Sequence, residues 1–408
     1  MSDYLKRDLV ATVKKLMEEF PCVALLGARQ VGKSTILKKV LPKASYFDLE
    51  NSNHEALISP DPLFFLEEQK SPLIIDEAQY CPELFPALRV VIDQDRTQTG
   101  RYLISGSSSP HLLKNISESL AGRIAIIEVP CLAWHEAMQI KKSKFYSILK
   151  EPEKFIKLKK LYTSEQLFEL MLYGLYPEAF LKRNKHTSYD TWVENYFKTY
   201  IERDIRALFP GLKLDVYKRF IKMLCFSSGE IINASNFARS LDVSQPTIKS
   251  YLEIADGTFV WRKFNCYSKN TNKRLVKMPR GQLRDTCLVN YLLNINSIDD
   301  LKAHPQLGRI WESFVIEQII KNLDSSLIKN KSYFYRTHNQ NEIDLVIEGR
   351  FGLIPIEIKA GRSNKKDQLI TMNNFIEEHK CPYGLLINLD DEIRRISPKI
   401  YQVPACFI

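Results

Sequence analysis

The chain has 408 residues, 45% hydrophobic and 26% charged, with a net charge of +10. That composition excludes a disordered or fibrous protein and gives room for about two to four domains, and the basic balance permits an acidic partner such as nucleic acid without requiring one. The 8 cysteines form no C-x-x-C pair, which argues against a zinc site or a disulfide framework and fits reduced thiols in a cytoplasmic protein. The charged start Met1–Asp8 is no signal peptide, and no apolar run nears the length of a membrane span, so no membrane partner is expected.

Leu5, Leu9, Val10, Val13 and Leu16 recur at helical spacing before Pro21. The apolar run Cys22–Leu26 suits a buried strand and leads into Gly27, Ala28, Arg29, Gln30, Val31, Gly32, Lys33, Ser34 and Thr35, which read G-x-x-x-x-G-K-S without a mismatch. Ile36–Val40 then suits a helix. In this strand–loop–helix context the glycines let backbone N–H groups face phosphate oxygens, and the helix N-terminus adds a positive dipole end. Lys33 would reach the β- and γ-phosphates and Ser34 would hold Mg²⁺.

Further short apolar runs at Ser45–Leu49, Pro72–Ile75, Arg101–Ile104 and Ile124–Val129 bring the candidate strands to five in an alternating α/β pattern, the layout of a parallel sheet. Leu73–Ile75 runs into Asp76 and Glu77 at a strand's C-terminal end, where open α/β sheets bind ligands. Asp76 would hold Mg²⁺, directly or through water, and Glu77 would activate the water that attacks the γ-phosphate. Ser107, after Ser105 and Gly106, is either a sensor of the γ-phosphate or part of an ordinary Gly/Ser turn. Arg123 is either a finger stabilising transferred charge or a surface arginine in a turn.

Gly27–Thr35, Asp76–Gln79, Gly106–Ser108 and Leu120–Arg123 resemble the motifs of a bacterial and archaeal family of AAA-type ATPases of unsettled biological role, which read G-x-R-Q-x-G-K-[ST]-[ST], D-E-[AI]-Q, G-S-S and L-x-G-R. The resemblance implies ATP as the nucleotide and an extra strand between the two nucleotide motifs, where Tyr46–Asp48 falls. It places the ATPase domain in residues 1–140.

Residues 141–225 read as a basic stretch followed by a helical linker domain. Thr191–Leu208 carries a broad apolar face, and Tyr196–Ile205 resembles a signature of the same family. Arg203 and Arg206 either touch nucleotide across a boundary or rim a core helix. Residues 226–295 read as a winged helix. Asn236–Leu241 is the first helix of a helix-turn-helix, Asp242 and Val243 the turn, and Ser244 the N-cap of the second helix, with Pro246 in its first turn. Gln245, Thr247 and Lys249 sit where DNA-reading side chains would, and a hairpin wing is expected around Lys269–Lys273. The family resemblance continues through Lys273–Lys277 and Asp285–Cys287. Double-stranded DNA and a protein surface both remain open as partners of this segment.

Residues 300–408 give an amphipathic helix around Arg309–Ile320, then two strands holding Asp344 and Glu357, the second running on to Lys359. Glu357 and Lys359 are two apart and share a strand face. The set resembles the D…(D/E)-x-K core of restriction-endonuclease-like folds, with Glu312 or Glu317 as a helix carboxylate and Ile343 where a proline is usual. That resemblance implies Mg²⁺ on Asp344 and Glu357, with Lys359 orienting a water. A scaffold whose Lys359 only neutralises carboxylates is the other reading. The expected architecture is therefore a P-loop domain with a parallel sheet, a helical and winged-helix region, and an α/β restriction-endonuclease-like domain. Three functions follow: an ATPase using Mg²⁺ and acting on DNA, an ATP-gated nuclease, or a nucleotide switch that binds DNA or protein without hydrolysis. Arg123 acting in trans would require a homo-oligomer.

Overall fold

The computed structural model describes residues 4–107, 116, 118–268, 278–337, 341–362 and 366–408. The chain divides into two compact units, Ser2–Leu132 with Glu253–Val260, and Ala133–Leu252 with Trp261–Ile408. Ser108 and the Lys269–Lys277 segment of the expected wing lie outside the described residues.

The first unit is built on five parallel strands: β1 (Cys22–Leu26), β2 (Ser45–Asp48), β3 (Leu73–Asp76), β4 (Tyr102–Gly106) and β5 (Ile124–Glu128). Their order is β2-β3-β4-β1-β5. β1, β3 and β4 are buried at every position. A parallel sheet is covered on both faces, which explains their unbroken apolar runs. β2, half-exposed, lies at the edge, so the extra strand implied by the family sits beside the strand that ends in Asp76. The N-terminal helix Leu9–Glu19 buries Leu9, Val13, Leu16 and Met17, the 3.6-residue stripe anticipated before Pro21.

The second unit begins with helices. His186–Thr199 is followed by a π-helical turn at Tyr200–Ile205, inside the expected Thr191–Leu208 helix. The helix-turn-helix comprises Ala234–Leu241 and Gln245–Gly257, the second helix crossing the unit boundary. The first helix starts two residues before the expected Asn236, because Asn233 caps it by accepting from the Ser235 and Asn236 N–H groups. Asp242 makes the turn in the left-handed conformation (φ 54°), and the Ser244 hydroxyl accepts from the Thr247 N–H.

Nine strands form one sheet in this unit. They are β6 (Glu230–Ile231), β7 (Trp261–Cys266), β8 (Arg280–Leu283), β9 (Asn330–Arg336), β10 (Glu342–Gly349), β11 (Gly352–Ile358), β12 (Gly384–Ile387), β13 (Arg394–Ser397) and β14 (Ile400–Gln402). The order is β13-β14-β12-β11-β10-β9-β7-β8-β6. Parallel pairing of Asn265 with Tyr333 and Cys266 with Phe334 joins the strands flanking the expected wing to those of the C-terminal segment. Two segments that read as separate domains thus share a sheet. Tyr267, Tyr333, Ile343, Val346, Met372, Phe375 and Ile376 pack into one core against it. All eight cysteines are buried, and none is in a disulfide. Among the described residues no helix is long and apolar enough to cross a membrane.

Candidate functional site

The end of β1 sets the first site. Gly27 tolerates no side chain, since a Cβ there would stand 2.3 Å from the Val129 carbonyl oxygen. Gln30 (φ 61°) and Gly32 (φ 93°) turn the loop, and the helix Lys33–Val40 starts directly after Gly32. Arg7, a residue the motifs do not include, donates to the carbonyls of Val31 (2.8 Å) and Pro130 (2.7 Å) and so braces the loop from behind.

Lys33 is buried. Its ammonium donates to the Gly27 and Ala28 carbonyls at 3.1 and 3.0 Å and lies 3.9 Å from Glu77 Oε1. Burial pulls it below its usual pKa, while Glu77 and Asp76 oppose the pull. Asp76, at the end of β3, accepts from the Tyr46 hydroxyl (2.6 Å), from the Ser105 hydroxyl and from the Glu77 N–H (3.1 Å). The Tyr46 hydroxyl thus occupies an oxygen of Asp76, one of the two residues expected to hold Mg²⁺. Burial and the Asp76 carboxylate push the Tyr46 phenol well above its usual pKa.

Glu77 adopts the left-handed conformation (φ 55°) at the strand's end, an uncommon geometry for a residue with a Cβ. Its Oε2 accepts from Ser107 (2.8 Å) and Gln79 (2.6 Å), and Gln79 also donates to Ser107 (3.2 Å). Lys33, Asp76, Glu77 and Ser107 are therefore brought together. Tyr46, Ser105 and Gln79 join this cluster without being expected from the sequence. Gln79 carried the best signal, since it closes the Asp76–Gln79 motif.

Arg123 is not part of this cluster. It precedes β5, whose first residue pairs with Cys22, so about 16 Å of strand separates it from the P-loop end of the sheet. There it makes a two-point ion pair with Asp93 at 2.7 and 2.8 Å. Arg29 reaches Glu50 (2.8 Å) and Tyr80 (3.3 Å) instead of the loop's interior.

The second unit holds its own cluster. β10 and β11 run antiparallel with Leu345 opposite Ile356. That register sets Asp344 against Glu357 on one face. Lys359 Nζ lies 2.7 Å from Glu357 Oε1 and 3.4 Å from Asp344 Oδ2, and Asp344 Oδ2 also accepts from the Ile358 N–H at 2.8 Å. Burial, reinforced by Asp344, pushes the Glu357 carboxyl up to about 8, with Lys359 opposing. Glu312 joins through Arg280, which pairs with it and places Nη1 4.0 Å from Asp344 Oδ1. Glu317 does not join. It pairs with Arg262 (2.8 Å) and accepts from Gln282 (3.1 Å). Five residues along a helix turn the side chain by about 140°, which separates the two glutamates.

On the helix-turn-helix, Gln245 and Lys249 are exposed, and Thr247 is half-buried with its hydroxyl against Ser244 (2.8 Å). A shallow cavity of about 570 Å³ opens beside the turn, lined by Arg239, Asp242, Ser244 and Gln245 among others.

Residues 19–138 match a family described as AAA domain, and residues 164–299 and 307–407 match two described as domains of unknown function (DUF8612 and DUF4143). The uncharacterized proteins Rv2008c of Mycobacterium tuberculosis and Mb2031c of Mycobacterium bovis are each 33% identical over 346 residues, 84% of this chain and 71% of theirs. Among solved structures, the Walker-type ATPase PABY2304 of Pyrococcus abyssi aligns with a TM-score of 0.44 at 16% identity, over 71% of this chain and 96% of that one. The RuvB Holliday junction branch migration motor of Thermotoga maritima aligns with a TM-score of 0.32 at 15% identity, over 64% of this chain and 90% of its own.

Proposed function

The chain belongs to the AAA-type ATPase family of these two mycobacterial proteins, and we propose that it binds ATP at Gly27–Thr35 and hydrolyses it with Glu77 as the base. The observation that carries this reading is the convergence of Lys33, Asp76, Glu77 and Ser107 at the ends of three neighbouring strands. On nucleotide binding, the Lys33 ammonium exchanges the Gly27 and Ala28 carbonyls for phosphate oxygens. Ser34 and Asp76 fit Mg²⁺, which would neutralise charge on the β- and γ-phosphates. Gln79 and Ser107 occupy Glu77 Oε2 and fix the carboxylate, leaving Oε1 toward Lys33 and the phosphate side. Steady-state hydrolysis by the full chain, with and without double-stranded DNA, tests the reading. Tight ATP binding without turnover under every condition would favour the switch.

Tyr46→Phe removes the hydroxyl that occupies Asp76 Oδ2. A hydrogen bond to a charged group contributes about 1.5–3 kcal/mol, part of which is returned by solvent. The Mg²⁺ concentration giving half-maximal turnover should therefore fall by up to about tenfold. Unchanged or weaker Mn²⁺ affinity in the variant, read by paramagnetic resonance with ATP bound, would show that the tyrosine does not compete with the metal.

Arg123 acts, on this reading, across a contact between two copies, since it lies far from its own P-loop. Turnover per chain should then rise with protein concentration. Arg123→Ala should flatten that rise, with a loss of about 10³-fold or more in the assembled state. Turnover strictly proportional to protein, and equal in the variant, would leave Arg123 as the partner of Asp93 alone.

We further propose that residues 226–295 are a winged helix that presents Gln245 and Lys249 to double-stranded DNA. What supports it is the exposed start of the helix Gln245–Gly257 and the net positive charge. Binding that weakens steeply with salt would mark a phosphate-driven complex. Binding that ignores salt points to a protein partner.

A further inference from the structure

The Asp344, Glu357 and Lys359 set resembles a metal-dependent nuclease core, yet the cluster already contains a cation that no such core requires. Arg280 comes from β8, on the far side of β9 and β7 from the carboxylate strands. It is 5% exposed. Its Nε donates to the Gly229 carbonyl at 2.6 Å, and its Nη2 pairs with Glu312. The remaining nitrogen, Nη1, is buried without a hydrogen-bond partner and points at Asp344 Oδ1, 4.0 Å away. Three carboxylates (Glu312, Asp344 and Glu357) thus face two fixed cations, Arg280 and Lys359.

Mg²⁺ binds oxygen ligands in octahedral geometry and keeps several waters. Here Asp344 Oδ2 is committed to the Ile358 N–H and Lys359, and Oδ1 faces a guanidinium. A divalent ion on Asp344 and Glu357 would sit against two positive groups in a buried site, where charge repulsion is weakly screened. The residues present therefore do not fit a resident metal. We propose that Arg280 is the built-in cation of this cluster and keeps divalent metal out of it. The acidic set is a latent metal site locked by the strand that closes the expected wing, and cleavage of nucleic acid would require that strand to withdraw the guanidinium. This inference is independent of the ATPase reading.

Mn²⁺ binding to the full chain without nucleotide, followed by paramagnetic resonance, tests it. Wild type, Arg280→Lys and Asp344→Asn should bind Mn²⁺ alike. Arg280→Gln should gain about one site per chain, at least tenfold tighter than any in wild type, and Arg280→Gln with Asp344→Asn should lose it. The gained site should also raise the thermal midpoint of Arg280→Gln when Mn²⁺ is added. Wild-type binding that disappears in Asp344→Asn would overturn the proposal, and this comparison holds even if Arg280→Gln fails to fold. A folded Arg280→Gln variant with no gain would overturn it equally.

Discussion

Glu77→Gln should lower steady-state ATP turnover by about 10²- to 10⁴-fold while ATP affinity stays within a few-fold, because a positioned general base contributes that much to rate and little to binding. The amide keeps the shape of the carboxylate, and its oxygen still accepts from Ser107 or Gln79, so the loop should hold its left-handed turn. What it loses is the ability to take a proton from water. Lys33 also loses its nearest carboxylate, 3.9 Å away, but keeps the Asp76 charge. Nucleotide binding by fluorescence, together with turnover in the same preparation, separates the two effects. Equal loss of both would mean that Glu77 is a support of the loop instead of the base. Gln79→Ala should give a smaller loss in turnover, since Ser107 still holds Oε2.

Asp285→Ala should destabilise the second unit by roughly 3–6 kcal/mol, on the basis of about 1.5–3 kcal/mol for each of the two buried donors that bond its charge. Asp285 is buried and accepts from the Leu175 N–H with both oxygens, at 3.2 and 3.0 Å, and from the Cys287 N–H at 3.0 Å. It caps the helix Thr286–Leu292 and pins Gly174, where a Cβ would stand 2.2 Å from its carboxylate. The alanine leaves two buried N–H groups without acceptors, and water has little access to replace them. Asp285→Asn keeps one acceptor oxygen and should cost less than half as much. Denaturant unfolding followed by a probe in the second unit checks the ranking. Equal stability of the alanine variant and wild type would show that the segment re-forms its bonds elsewhere. The Asp285–Cys287 signature, carried over from the family resemblance, thus includes a structural fastening within the second unit.

How much of this was legible in the chain depends on how far apart the participating residues are. The P-loop, the Asp76–Glu77 pair and the five strands are local patterns. Each arises from consecutive residues whose burial and spacing fix a strand, a turn or a helix, and the expected strands lie within a residue or two of those observed. The shared face of Glu357 and Lys359 follows from the two-residue repeat of a strand alone. The hairpin between Gly349 and Gly352 then brings Asp344 opposite Glu357, because a tight turn fixes the register of both strands.

The sequence by itself thus determined the α/β class, the P-loop and which acidic residues are the candidates at each site. The tertiary structure alone decided which partners they meet. Tyr46 reaches Asp76 because β2 pairs with β3, and Arg123 lies at the opposite end of the sheet from the P-loop because β5 runs parallel to β1. Glu312 instead of Glu317 joins the second cluster because helix periodicity turns them to different neighbours. Arg280 meets Asp344, sixty-odd residues on, only because β7 pairs with β9 and carries β8 alongside. Local spacing records which way a side chain faces along its own element. The order in which strands assemble is fixed by the packing of the whole unit, and no window of sequence contains it.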